Sequence, residues 1–221
     1  MRINKFFSYF GYASRRKADS YIEEGRVLIN GELATPGSRV SQEDNIVFDG
    51  KPLPWIEKKN IYYAYYKPRG VECTLNESVR NNLKDALNIK ERVYPIGRLD
   101  KNSEGLLLLT NDGDKALELS HPRYEKEKEY LVSVEYPFTE KELEEIRSGL
   151  ITDEESYLPC TIERISQFKY KFILKEGKNK QIRRICEFFD NPVKRLLRTR
   201  INDIYLKELS LKPGDLIDIE L

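Results

Sequence analysis

The sequence predicts an α+β protein with two unequal domains: a small N-terminal domain of two helices and short strands, and a larger domain in which helices flank a mixed, mostly antiparallel sheet. The chain has 221 residues, which suits one ordinary domain with a smaller one attached. Helical periodicity and a hairpin signal fill the first fifty residues, whereas the strand and helix patterns after residue 60 follow neither a βαβ order nor an all-β order.

The small domain is expected in residues 1–49. Apolar residues recur at helical spacing over the first ten positions, and Ser14 is placed to cap a second helix. Asn30 and Gly31 then stand between two short apolar runs, and Asn-Gly in this setting is the strongest local signal for a two-residue hairpin. Residues 50–60 contain two prolines, several charges and little periodicity, so they are predicted to be a linker.

The larger domain is expected in residues 61–221. The continuous apolar run LLLLT suits a strand that is covered on both faces, EYLVSVEY alternates as a half-buried strand does, and TEKELEEIRSG opens with a helix capping box. The remaining strands are predicted at IYYAYYKPRG, CTIERI, KYKFILKEG and DLIDIEL, and the remaining helices at NNLKDAL, DKALELSH and NKQIRRICEFF.

The composition argues against several classes of chemistry. Three cysteines far apart in the sequence favour neither a disulfide framework nor a zinc site, and a single histidine can hardly supply a His-rich metal site or a Ser-His-Asp triad. No apolar stretch approaches the roughly 20 residues that span a bilayer, and the N-terminus lacks a secretory signal, so a cytoplasmic protein without a membrane partner is expected. Any catalysis has to use carboxylates, tyrosines, lysines and arginines.

Charge is segregated along the chain, although the net charge is only +1. Residues 169–200 hold eleven Lys and Arg against three Asp and Glu, whereas residues 139–157 hold seven Asp and Glu against two Lys and Arg. Such segregation predicts a basic face on a nearly neutral protein. A second basic group is expected on the polar side of the N-terminal helices, at Arg2, Lys5, Arg15, Arg16 and Lys17.

The larger domain contains four motifs in series: GRLDKNSEGLLLLTNDG, HPRYEKEKEYLV, EGKNKQIRRICEFF and VKRLLRTRI. Their order and spacing resemble those of pseudouridine synthases of the RsuA/RluF type. The segment RINKFFSYFGYASRRKADSYIEEGRVLINGELA similarly resembles the S-four-type RNA-binding domain. Together the resemblances cover nearly the whole chain. They imply an enzyme that flips a specific uridine out of ribosomal RNA, with large-subunit RNA favoured, and isomerises it to pseudouridine without a cofactor or metal.

Asp100, Tyr130 and Arg183 are the catalytic residues that the resemblance implies. Moving the ribose bond from N1 to C5 of uracil favours a nucleophile that forms and then releases a covalent adduct, and Asp100 matches the family's catalytic aspartate. A carboxylate can attack C1′ or C6, or act as a base toward a glycal, and the sequence leaves all three routes open. Arg183 matches an arginine that pairs with the aspartate and keeps it ionised.

Contacts with the flipped nucleotide follow from the same resemblance. Tyr130 matches a tyrosine that stacks on the target base and relays the proton that leaves C5, and Leu196 matches an apolar residue on the other side of the base. Lys128 lies in the same motif in a supporting role. Arg98 matches an arginine that enters the helical stack where the target nucleotide has left.

The basic residues around these motifs are expected to contact RNA phosphates. In the larger domain they are Arg184, Lys194, Arg195, Arg198 and Arg200, and in the small domain they are the five cations on the helical face. A monomer is expected because no spare apolar stripe is visible. Glu72 and Cys73 follow the segment KPRG, where the family pattern carries smaller or apolar residues. The local packing around these two residues is therefore expected to differ from that of the family.

Two other functions fit parts of the sequence. A non-catalytic RNA-binding or ribosome-assembly factor could keep the same scaffold, but it would not need Asp100 and Tyr130. A glycosidase would need a second acid about 5–10 Å from the first. Glu104 is close to Asp100 in sequence, but nothing in the sequence identifies it as that acid.

Overall fold

The computed structural model describes residues 1–56, 59–87, 89, 91–152 and 155–221. The chain forms two compact units, Met1–Asn60 and Ile61–Leu221. Among the described residues, no helix combines the length and the apolar character needed to cross a bilayer.

The first unit packs two helices against a small antiparallel sheet. Its elements are α1 (Ile3–Tyr9), α2 (Arg15–Glu23), β1 (Val27–Ile29), β2 (Glu32–Leu33), β3 (Ile46–Phe48) and β4 (Lys51–Pro52), with the sheet order β2-β1-β3-β4. The Ser14 hydroxyl accepts a hydrogen bond from Lys17 N at 3.2 Å and so caps α2 as the sequence predicts. Asn30 and Gly31 both have positive φ, of 53° and 91°, as a tight turn between β1 and β2 requires.

The first unit reaches further along the chain than the predicted linker allows. The residues of β4 pair with β3, and the Trp55 ring packs on Phe6 and Phe10 with centroid separations of 4.7 and 5.5 Å. The two prolines predict a break in regular structure, but Pro52 lies on an edge strand, where a missing N–H costs no ladder hydrogen bond. Of the segment expected to link the domains, residues 57–58 lie outside the described residues.

The second unit is built on one large mixed sheet. Its strands are β5 (Tyr62–Lys67), β6 (Tyr94–Ile96), β7 (Glu104–Thr110), β8 (Lys128–Val134), β9 (Leu150–Ile151), β10 (Ser156–Tyr157), β11 (Thr161–Ser166), β12 (Lys169–Leu174), β13 (Val193–Ile201), β14 (Ile204–Tyr205) and β15 (Leu216–Asp218). Its helices are α3 (Leu83–Leu87), α4 (Gly113–Ser120), α5 (Glu140–Ser148) and α6 (Gln181–Phe188), with a 3-10 turn at Pro122–Tyr124.

The sheet has the order β11-β12-β8-β13-β7-β5-β15, with β6 on β7 and β14 on β13, while β9 and β10 form a separate hairpin. Only the β13–β7 pair is parallel among the pairings of the described strands. The α+β class with a mixed, mostly antiparallel sheet is therefore confirmed.

Strand β7 runs through the centre of this sheet and explains the apolar run in the sequence. All seven of its residues are buried. Leu107 and Leu109 belong to the apolar cluster on one face, whereas Leu106 and Leu108 belong to the cluster on the other, which includes residues of α4. A strand buried on both faces carries apolar residues at consecutive positions, as Leu106, Leu107, Leu108 and Leu109 do. The turn that precedes β7, residues 97–103, is thereby anchored to the most deeply buried part of the unit.

Candidate active site

The turn before β7 carries Asp100 and is bound by the buried side chain of Lys67. Lys67, at the end of β5, is fully buried, and its Nζ donates hydrogen bonds to the carbonyl oxygens of Pro68 at 2.9 Å, Lys101 at 3.4 Å and Ser103 at 2.9 Å. Within the turn, Ser103 N donates to the carbonyl oxygen of Asp100 at 3.0 Å. The backbone around Asp100 is thus fixed to the sheet, and the Asp100 side chain projects from a rigid turn.

Burial lowers the pKa of Lys67 to about 8, and the nearby charges of Glu72 and Asp100 offset only part of this effect. Between about pH 8 and pH 10.5 the unfolded chain therefore binds a proton at this position that the folded protein lacks, so this group makes folding more favourable as the pH rises through that interval.

We expect Lys67→Met to destabilise the second unit by about 1–3 kcal/mol at pH 7, because the three carbonyl groups lose their shared donor. The stability difference between wild type and variant should then grow by at most about 3 kcal/mol as the pH rises from 8 to 10.5. Urea denaturation of both proteins at intervals across this range measures the difference, in which other titrating groups cancel. A difference that stays constant with pH would mean that folded Lys67 remains charged throughout.

Helix α6 brings Arg183 next to Asp100. The guanidinium Nε lies 3.7 Å from Asp100 Oδ2, and the two side chains are 23% and 32% exposed. The same guanidinium donates through Nη2 to the carbonyl oxygen of Asn102 and the hydroxyl of Ser103, both at 3.3 Å, and through Nη1 to the carbonyl oxygen of Val193 at 3.4 Å. Arg183 therefore places its positive charge beside the carboxylate from a fixed position and leaves part of the carboxylate open to solvent.

Asp100 opens into a cleft of about 430 Å³, a size usual for a small-molecule site. Five of the residues named from the sequence line this cleft together: Arg98, Asp100, Tyr130, Arg183 and Leu196. Tyr130 and Leu196 are largely buried and come from the neighbouring strands β8 and β13. The cleft thus combines a carboxylate, a guanidinium and an apolar wall with one aromatic ring, which together can hold a flat ring and stabilise a developing charge.

Some residues singled out from the sequence do not line the cleft. Lys128 is buried, its Nζ donates to the carbonyl oxygen of Lys126 at 3.2 Å, and its pKa is lowered by burial and by the neighbouring charge of Arg198. Arg184, Lys194 and Arg195 remain at least partly exposed at the protein surface, and each has a carboxylate partner: respectively Glu155, Glu135 and Glu104.

Arg198 and Arg200 correct the expected set of phosphate contacts. Both are buried because β13 lies between β8 and β7 and places them inside the sheet. Arg198 Nε donates to the carbonyl oxygen of Leu106 at 2.7 Å, and Arg200 Nη2 pairs with Glu127 at 2.9 Å. These two arginines bind their own protein, and the prediction that they face RNA is wrong.

The cations expected on the first unit lie at its surface. Arg2, Arg15, Arg16 and Lys17 are exposed and Lys5 is half-buried. The Lys17 Nζ lies 5.1 Å from the centre of the Tyr21 ring, so part of this face combines a cation with an aromatic surface. A face of this kind attracts a polyanion without requiring a particular sequence.

The cleft also contains residues that the sequence did not place there. Glu72 and Cys73 line its wall, and burial raises the pKa of the Cys73 thiol, which favours its neutral form. Lys178 and Asn179, in the loop before α6, line it as well. Lys178 and Asn179 belong to the same sequence motif as Arg183, and this is the signal that places them near the site. Among the described residues, no group of three or more His, Cys, Asp and Glu side chains could hold a metal ion.

Comparison with known proteins gives a consistent result for both units. Residues 61–188 match the family model for RNA pseudouridylate synthase, and residues 1–46 match the S4 domain. The whole chain is 39% identical to the dual-specificity RNA pseudouridine synthase RluF of Escherichia coli (strain K12) and covers 77% of that protein.

A second relative and a solved structure extend this comparison. Over 94% of its length, the chain is 36% identical to the ribosomal large subunit pseudouridine synthase B of Bacillus subtilis (strain 168), of which the match covers 88%. A crystal structure of a pseudouridylate synthase matches the full chain with a TM-score of 0.72 at 28% identity and is itself covered to 96%.

Proposed function

This chain belongs to the RNA pseudouridylate synthase family, and from this membership we propose that it isomerises a specific uridine of ribosomal RNA, in the large subunit, at the cleft around Asp100. The observation that carries the assignment of the site is the Asp100–Arg183 pair at 3.7 Å, which stands at the mouth of an accessible cleft whose wall includes Tyr130 and Leu196. The relative from Bacillus subtilis, which is named for the large ribosomal subunit, supports the choice of RNA.

The reaction replaces one bond to the ribose by another. The N1–C1′ bond breaks, the freed uracil turns, C5 bonds to C1′, and the product carries a proton on N1 in place of the one lost from C5. In our proposal Asp100 forms a transient covalent bond to C1′ or C6, or removes a proton to give a glycal, and Arg183 holds its guanidinium beside the carboxylate before each of these steps. No step consumes an oxidant, a reductant or a second substrate.

The walls of the cleft fit a uracil that has been flipped out of the RNA stack. Tyr130 is proposed to stack on one face of the base while Leu196 packs on the other, and the phenol of Tyr130 is proposed to relay the proton from C5. Arg98, also in the cleft, is proposed to enter the gap that the uridine leaves and so offset an unstacking cost of about a few kcal/mol.

The first unit is proposed to hold the RNA without taking part in the reaction. Its exposed cations on α2, Arg15, Arg16 and Lys17, offer a backbone contact that tolerates any sequence. In the second unit, Arg184, Lys194 and Arg195 are proposed to add phosphate contacts at the surface. We also infer that the protein works as a monomer, because one chain supplies the carboxylate, the guanidinium and the walls of the cleft. The cytoplasm is its proposed location, since its proposed substrate is ribosomal RNA.

A mapping experiment tests this function. Purified protein incubated with unmodified transcripts of each ribosomal RNA should produce one new carbodiimide-dependent reverse-transcription stop, in the large-subunit RNA. A stop in the small-subunit RNA alone would overturn the choice of subunit. Tight binding to the transcripts with no stop in either RNA would mean that the chain is a non-catalytic RNA-binding factor, and the proposed function would fall.

A further inference from the structure

Two cations, one lining the cleft and one next to a lining residue in α6, share one carboxylate. Lys178 lies in the loop between β12 and α6 and lines the cleft, and Arg184 follows Arg183 in α6. The Lys178 Nζ lies 3.3 Å from Glu155 Oε1, and the Arg184 Nη1 lies 3.4 Å from Glu155 Oε2. Each carboxylate oxygen therefore binds one cation, and the two cations come from different elements.

The position of Glu155 is set by its backbone and not by its ion pairs. Its N–H donates to Thr152 Oγ1 at 3.1 Å, and its carbonyl oxygen accepts from the N–H and the hydroxyl of Thr152 at 3.0 and 2.8 Å. Lys178 is held separately, since its Nζ also donates to the carbonyl oxygen of Ser156 and lies 5.6 Å from the centre of the Tyr157 ring. The carboxylate can therefore leave the two cations while Glu155 keeps its hydrogen bonds with Thr152 and Lys178 keeps its contacts with Ser156 and Tyr157.

Exchange of this carboxylate for another anion costs little. The side chains of Glu155, Lys178 and Arg184 are 29–38% exposed, and ion pairs at such partly exposed positions contribute little to stability. A phosphodiester also offers two free oxygens on one central atom, so it can bridge a lysine and an arginine as a carboxylate does, and arginine binds phosphate oxygens with favourable geometry.

We propose that Lys178 and Arg184 form a phosphodiester-binding pair beside the cleft, that Glu155 occupies this pair in the free protein, and that the RNA backbone displaces it. This inference rests on the proposed function, because it requires RNA to enter the cleft at Asp100. It assigns a role to Lys178 and Glu155, which neither the catalytic step nor the stacking contacts use. An RNA that does not bring a phosphate to this position leaves Glu155 in place and gains nothing there.

Glu155→Gln tests the proposal, and Glu163→Gln is its matched control. Both variants replace one glutamate by glutamine and so change the net charge equally. Glu163, on β11, pairs with Lys171, on β12, at 2.5 Å, and neither residue lines the cleft. Binding to large-subunit transcript is measured over a range of salt concentrations. We expect Glu155→Gln to bind about three- to tenfold more tightly than Glu163→Gln at low salt, since two ion pairs no longer have to break. A plot of the logarithm of the RNA-binding constant against the logarithm of the salt concentration should have a slope that is steeper by about one for Glu155→Gln than for Glu163→Gln.

Removal of the two cations completes the test. Adding Lys178→Met and Arg184→Met to Glu155→Gln should abolish the gain in affinity, and the same pair of changes should weaken binding less when Glu155 is present. Equal affinities of the Glu155→Gln and Glu163→Gln variants, or a gain that survives loss of both cations, would overturn the proposal. If Glu155→Gln does not fold, the lysine and arginine changes in the Glu155 protein decide instead, because the proposal requires weaker RNA binding and unchanged affinity would overturn it.

The mapping experiment keeps the two proposals distinguishable. If the wild-type protein forms pseudouridine and the Glu155→Gln and Glu163→Gln variants bind RNA with equal affinity, the phosphate site alone is refuted. A wild-type protein that forms none would refute the proposed function, whatever the affinities of the variants.

Discussion

Asp100→Asn is expected to abolish pseudouridine formation while RNA binding stays within about twofold of wild type. Asparagine keeps the size and shape of the side chain but lacks the negatively charged oxygen, which acts as the nucleophile in two of the three possible routes and as the base in the third. Loss of a nucleophile of this kind lowers the rate by at least about 10⁴-fold. Single-turnover assays on a large-subunit transcript measure the rate, and a filter-binding titration with the same transcript measures the affinity.

The fold should survive this change. The Asp100 side chain is about one-third exposed and faces Arg183 at 3.7 Å, and such a pair contributes at most about 1 kcal/mol to stability. Asp190→Asn is the matched control, because it removes one negative charge at the opposite end of α6, from an exposed residue with a φ of 50° that asparagine readily adopts. Activity of Asp100→Asn above about 1% of wild type, or an equal loss in Asp190→Asn, would refute the role of Asp100 as nucleophile or base.

The resemblance of four sequence motifs to the pseudouridine synthase family names residues that the fold gathers in one cleft. Arg98 and Asp100 lie in the turn before β7, Tyr130 in β8, Arg183 in α6 and Leu196 in β13, so four separate parts of the chain contribute. Spacing along the sequence alone would not bring them together. They meet because β13 lies between β8 and β7 and α6 packs beside β13, which is a property of the complete sheet.

Strand β13 buries two of the arginines that the sequence predicts at the surface, Arg198 and Arg200. Its sequence, VKRLLRTRI, looks like a basic surface segment, yet it forms the longest strand among the described residues. Arg198 and Arg200 follow Leu196 at steps of two, so strand alternation places all three on the buried side. Their charges are tolerated because a carbonyl group of β7 and the carboxylate of Glu127 bind them. No pattern of charges in the sequence reveals such partners.

The largest effect on stability is expected from Gly105→Ala. Gly105 has a φ of 107°, and it lies where β7 and β13 run parallel, opposite Arg198. A Cβ atom at this position would lie 2.2 Å from the carbonyl oxygen and 2.8 Å from the N atom of Arg198, and 2.8 Å from a methyl group of Leu197. Since two of these atoms are backbone in a buried strand, the strands must move apart. We expect a loss of more than about 4 kcal/mol in the second unit.

Gly214→Ala separates the steric clash from the backbone strain. Gly214 has a similar φ of 99° but faces open space, so alanine there should cost only about 1–2 kcal/mol. Thermal unfolding followed by far-UV circular dichroism should show the Gly105→Ala transition lowered by at least about 8 °C, or absent, and the Gly214→Ala transition lowered by a few degrees. The single tryptophan, Trp55, packs in the first unit, so its emission reports that unit separately and should stay native in both variants. Equal transitions for the two variants would mean that β7 and β13 can separate freely, and the cleft, which depends on Asp100 before β7 and Leu196 in β13, would then lack its rigid support.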